Sequence, residues 1–168
     1  MEEKILLLAQ LYARQEPIYQ EMLTVTRDLR DLCVENSFEA EGDREKLARL
    51  LLRRGELMEQ AAAKQKEAAA LEESLREALA LGPVKVNAAA LAERYSSPAV
   101  EHFSGVLRRL ELLIKEIVAL DTVTRQALRR SLQDTAREMG RIQTGKKASR
   151  AYHAQGFQPE GFFVDFSK

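Results

Sequence analysis

The sequence predicts an all-α protein: an elongated antiparallel bundle of three long helices, packed in the manner of a coiled coil, with an irregular C-terminal tail. Three observations lead there. Alanine, leucine, glutamate, arginine, lysine and glutamine make up most of the 168 residues, and only four prolines and eight glycines interrupt them. Apolar residues recur at three- and four-residue steps over three long stretches, close to the 3.5-residue period of packed helices. No alternating strand pattern runs long enough to matter.

The first helix is expected from about Glu2 to Asn36. Ile5, Leu8, Tyr12, Tyr19, Met22, Leu29 and Cys33 share one seam, and Leu7, Leu11, Ile18, Val25 and Leu32 widen it toward a second neighbour. Pro17 cannot donate to the hydrogen-bond ladder. The helix therefore either kinks there or restarts at Glu16-Pro17 after a shorter leading helix.

Phe38 to Gly42 reads as a break, and Asp43 as the N-cap of a second helix that reaches about Leu81, where Gly82-Pro83 is a stop signal. Leu47, Leu50, Leu57, Leu75 and Leu79 bracket an alanine-rich centre, Ala61-Ala62-Ala63 and Ala68-Ala69-Ala70. Small side chains there let a partner helix approach closely. Gly55 costs this helix about 1 kcal/mol relative to alanine, and the sequence offers no reason for it.

A connection from Val84 to Ser97 carries two turns of helix at Asn87 to Arg94. Ser97 reads as the N-cap of the third helix, with Pro98 in the favoured first position. Phe103, Leu107, Leu110, Ile114, Ile117, Leu120, Leu128, Leu132, Met139 and Ile142 form its apolar face, and its end is expected near Gln143 to Gly145. Residues 1–145 are thus read as the bundle domain and 146–168 as the tail. The tail holds Tyr152, Phe157, Phe162, Phe163 and Phe166 in a segment too short to fold alone. Each aromatic can remove roughly 150–250 Å² from water, so the tail either packs on the bundle or offers these rings to a partner.

Twenty-six basic residues balance twenty-six acidic ones, so the total charge gives no reason to expect nucleic acid as a partner. The distribution is uneven. Residues 1–80 hold 12 basic and 17 acidic side chains, and residues 125–168 hold 9 and 4. Opposite signs of this kind attract within an antiparallel bundle. The late basic run (Arg125, Arg129, Arg130, Arg137, Arg141, Lys146, Lys147 and Arg150) is interrupted by Asp134 and Glu138. A single cysteine, Cys33, excludes an intramolecular disulfide and agrees with a reducing compartment. Met1-Glu2-Glu3-Lys4 is followed only by the short apolar run Ile5 to Ala9. Neither a signal peptide nor a membrane span is expected, since a span needs roughly 20 apolar residues. The expected location is cytoplasmic, without direct membrane insertion.

Catalytic chemistry is not expected. Gly140-Arg141-Ile142-Gln143-Thr144-Gly145-Lys146 mimics a phosphate-binding loop, but Lys147 stands where a serine or threonine must hold magnesium, and no strand precedes it. His102 and His153 are the only histidines and lack a metal-ligand spacing. No catalytic residue, no metal site and no cofactor is assigned, and the chain is read as a non-enzyme.

The back third carries a resemblance. A helix with Leu120, Thr124, Leu128 and Leu132 at four-residue steps leads into Ile142-Gln143-Thr144-Gly145-Lys146-Lys147-Ala148 and Ala151-Tyr152, then Gly161-Phe162-Phe163-Val164-Asp165. This order resembles the FlgN-type flagellar export chaperones, whose chains end in a glycine–basic stretch, a tyrosine and a short aromatic segment. One departure is at Thr124 and Asp121, where the family often shows asparagines. The resemblance implies a chaperone for type III (flagellar) protein export. Such a chaperone binds the C-terminal helical region of hook-associated (hook–filament junction) proteins and delivers them to the export gate. Mapped onto this chain, it makes Leu128, Leu132, Met139 and Ile142 the candidate partner-binding residues and Tyr152 the candidate for gate docking. The alternative is a homo-oligomeric coiled-coil protein, a homodimer for example, joined through the same seams without a secretion role.

Overall fold

In the computed structural model, described for residues 1–35, 41–80, 86–95 and 97–155, nearly all the backbone is helical and the described residues contain no strand. Among the described residues five helices follow one another: α1 (Glu2–Ala13), α2 (Glu16–Glu35), α3 (Glu41–Ala78), α4 (Ala88–Arg94) and α5 (Pro98–Gln155). The chain divides into two compact units, Met1–Ala127 and Leu128–Lys168.

The first predicted helix is two. α1 stops at Ala13 and α2 begins at Glu16, so Pro17 occupies the first turn of a new helix, where its missing N–H leaves no bond unmade. The chain turns through Arg14 and Gln15. The Gln15 N–H donates to the Tyr12 carbonyl at 2.9 Å, and the Tyr19 N–H donates to the Gln15 carbonyl at 3.1 Å.

Three end positions depart from expectation. α3 already includes Glu41 and Gly42, so Asp43 lies inside the first turn rather than at the N-cap. A carboxylate is favoured there too, by the partial positive charge of the helix N-terminus. The rest of the expected break, Phe38 to Ala40, and the Gly82-Pro83 stop fall outside the described residues. α3 ends at Ala78, and Ala80 takes a left-handed φ of 49°, a conformation that glycine adopts more cheaply.

Pro98 does open α5, and the Val100 and Glu101 N–H groups donate to the Ser97 carbonyl at 3.0 and 3.3 Å. The buried Ser97 hydroxyl, however, has no hydrogen-bond partner, so the serine side chain does not cap the helix. Asn87 caps α4 instead, its side-chain oxygen accepting from the Ala90 N–H at 2.8 Å.

The third departure is the largest. α5 runs on to Gln155 rather than ending near Gln143 to Gly145. Gly140 and Gly145 are helical, each with a penalty of about 1 kcal/mol. The arginine, glutamine, lysine and alanine residues around them are strong helix formers that carry the helix through. Residues 146–155 of the expected tail are therefore helix, and residues 156–168 lie outside the described part.

Unit 1 is built on two apolar clusters. The first joins Ile5, Leu8 and Ala9 of α1, Ala68 and Leu75 of α3, Leu91 of α4, and Ala99, Val100 and Phe103 of α5. Tyr12 meets Phe103 edge to face, with ring centroids 5.7 Å apart. The second cluster joins Met22, Leu23, Val25 and Leu29 of α2 to Leu57 of α3 and Ile117 of α5. Polar pairs fix the directions. Lys4 donates to Ser74 at 2.9 Å, Tyr12 donates to Glu72, and Arg53 pairs with Glu21 at 2.5 Å, so α3 counts down as α1 and α2 count up. α5 counts up beside α2, through Glu16 with Arg109 at 2.8 Å and Arg27 with Glu116 at 2.5 Å. Leu7 and Ile114, expected on apolar faces, are exposed.

Candidate functional site

The described part of unit 2 is a continuous stretch of α5. At about 100° per residue, Leu128, Leu132, Met139 and Ile142 fall within an arc of about 80°, so they form one stripe along roughly 21 Å of helix. Leu128 is half-buried, whereas Leu132, Met139 and Ile142 are 70, 57 and 52 % exposed. The last three belong to no apolar core. Every described side chain from Leu132 to Arg150 is exposed. Apolar residues aligned and left in water mark a contact surface more often than residues scattered singly.

Charge frames the stripe unevenly. By the same helical geometry, Arg129 and Lys147 border one edge, Lys146 and Arg150 continue the line past Ile142, and Asp134 and Glu138 border the other edge. Arg137 meets Asp134 at 3.5 Å, but both are strongly exposed, and such pairs contribute little. The other cations of the stretch have no ion pair among the described residues.

Tyr152, the candidate for gate docking, has its backbone in the last turns of α5, and its side chain lies outside the described part. The phosphate-loop mimic Gly140–Lys147 is helix throughout. Its N–H groups are spent on the helical ladder and the Thr144 hydroxyl donates to the Gly140 carbonyl at 2.9 Å, so no cradle for phosphate exists.

Sequence reasoning missed a set of exposed apolar residues in unit 1: Leu51, Leu52 and Met58 on α3, and Leu112, Val118 and Val123 on α5. The signal was the run Leu50-Leu51-Leu52, which cannot all face one way on a helix. It also missed a cleft of about 350 Å³ lined by Tyr12, Gln15, Tyr19, Gln65, Leu107 and Leu110, among others. The cleft opens where α1 breaks from α2. Gln15 beside it is buried, and its amide nitrogen has no partner.

Burial raises the Tyr12 pKa, and the hydrogen bond to Glu72 and the charge of that carboxylate raise it further. Burial also raises the pKa of the Cys33 thiol, which keeps it protonated and a poor nucleophile. Among the described residues no group of three or more histidines, cysteines or carboxylates could hold a metal, and no helix is long and apolar enough to cross a membrane. Compared with family models, with curated proteins and with solved structures, the chain matches none.

Proposed function

We propose that this chain is a cytoplasmic export chaperone of the FlgN type, which holds the C-terminal amphipathic helix of a hook–filament junction protein until delivery to the flagellar export gate. The observation that carries this reading is the stripe of Leu132, Met139 and Ile142, aligned on one helix face and exposed. An exported subunit's terminal helix has an apolar face of its own that self-associates when left bare. Helix-in-groove pairing covers both faces at once, with methionine adapting to the fit. No nucleotide or metal is needed for that exchange.

For unit 1 we propose the finer architecture of an antiparallel bundle of three long helices, the first of them broken at Arg14 and Gln15 just ahead of Pro17. The opposed residue pairings of α3 with α1 and α2 support it. In this reading unit 1 is the stable scaffold and unit 2 carries the partner.

Titration calorimetry of the purified chain with each junction protein tests the proposal. One-to-one binding at micromolar affinity or tighter is expected, and Leu132→Asp with Met139→Asp abolishes it. Absence of binding to either protein would sink the assignment. Tyr152→Ala is expected to leave subunit binding intact while lowering export. Equal loss of both would remove Tyr152 from the docking role.

A further inference from the structure

We infer that the helix seated on the stripe is acidic, with carboxylates flanking its apolar edge, and that unpaired cations of α5 select it. This rests on the stripe being the partner-binding surface, as proposed above. Residues 128–155 hold seven lysines and arginines against two carboxylates. In unit 1 the cations Arg27, Arg53 and Arg109 are neutralised by carboxylates of neighbouring helices. In unit 2 only Arg137 has a carboxylate partner among the described residues. The charge is also placed to be read. Arg129 and Lys147 border the apolar line, and Lys146 and Arg150 extend it beyond Ile142. A partner helix covering Leu128 to Ile142 for about four turns meets Arg129 on one edge, Asp134 and Glu138 on the other, and Lys146, Lys147 and Arg150 at one end.

The same pattern decides among occupants. A second copy of the stripe brings like charges together, which disfavours pairing. Duplex nucleic acid satisfies the cations but leaves Leu132, Met139 and Ile142 in water. An amphipathic helix whose carboxylates lie on the side away from Asp134 and Glu138 covers the apolar line and pairs with the cations.

The test uses the full chain and two fluorescent helical peptides that share one apolar face and carry either glutamates or lysines at the flanking positions. In anisotropy titrations the glutamate peptide is expected to bind at least ten-fold more tightly, with the gap narrowing as salt rises. Replacing Arg129→Glu, Lys146→Glu and Lys147→Glu together is expected to reverse the preference. All three side chains are exposed, so helix content by circular dichroism stays unchanged. Equal affinity for the two peptides, lost in the Leu132→Asp, Met139→Asp variant, overturns the charge selection and leaves the chaperone reading standing. Failure of both peptides and both junction proteins overturns the two together. Tighter binding of duplex DNA that survives the Leu132→Asp, Met139→Asp change, or a concentration-dependent dimer abolished by that change, overturns the inference in favour of those occupants.

Discussion

Phe103 and Leu132 lie on the same helix and meet opposite surroundings: Phe103 is fully buried, whereas Leu132 is 70 % exposed. The contrast extends to the units that contain them. Unit 1 holds 18 basic and 22 acidic residues and closes its apolar residues into two clusters. Unit 2 holds 8 basic and 4 acidic residues, and its described apolar stripe lies open. An amphipathic period in a sequence thus marks where a helix is made for contact. It does not say whether the contact comes from the same chain.

Substitutions can break or sharpen that contrast. The largest effect is expected from Phe103→Ala, which should lower unfolding free energy by roughly 3–5 kcal/mol in urea titrations. Leu132→Ala, measured the same way, marks the other extreme and should change it by less than about 0.5 kcal/mol. Similar losses at the two sites would erase the distinction.

Next comes Asp121→Ala. Asp121 pairs with Arg54, and both side chains are largely buried, so the change strands a guanidinium and should cost about 1–3 kcal/mol.

Tyr12→Phe is expected to cost about 1 kcal/mol near neutral pH by removing the hydrogen bond to Glu72. It should also alter the alkaline limb. The folded-state pKa of Tyr12 is raised, so the fold favours the neutral phenol. That contribution is complete below the ordinary tyrosine value of about 10 and is lost as pH rises through the folded value. Wild type should therefore weaken above that pH more steeply than the phenylalanine variant, and an unchanged slope would remove Tyr12 from the account.

Two small gains complete the series. Gly55→Ala meets no atom within 4 Å and should add about 1 kcal/mol to unit 1. Gly140→Ala, equally unobstructed, should raise helix content by circular dichroism without moving the unfolding midpoint set by unit 1.

Much of this was legible in the sequence. The seams through Ile5, Leu8, Met22 and Leu29, and through Phe103, Leu110 and Ile117, are buried as their spacing implies. Asn87 and Pro98 mark starts because their chemistry is local. Ends were harder. Gly145 looked like a stop, yet glycine only penalises a helix, and a run of strong formers on both sides outweighs it. Ser97 looked like a cap, but its hydroxyl is buried without a partner, a tertiary outcome that no local rule contains. Leu91 escaped notice as core because a seven-residue helix shows too few periods to reveal a face, and Val86 because it precedes that helix and belongs to no periodic stretch. Leu128, Leu132, Met139 and Ile142 were found as a face, but spacing alone could not separate an open one from a closed one.

The length of α5 has a dynamic corollary. Its residues up to Ile117 are tied to other helices, so their amides can exchange with deuterium only when unit 1 opens as a whole. From Leu132 onward the amides are protected by little more than their own ladder, weakened at two glycines, and fray on far shorter timescales. One helix should thus show slow and fast isotope uptake along its length. Occupancy of the fast end would be read directly as its slowing.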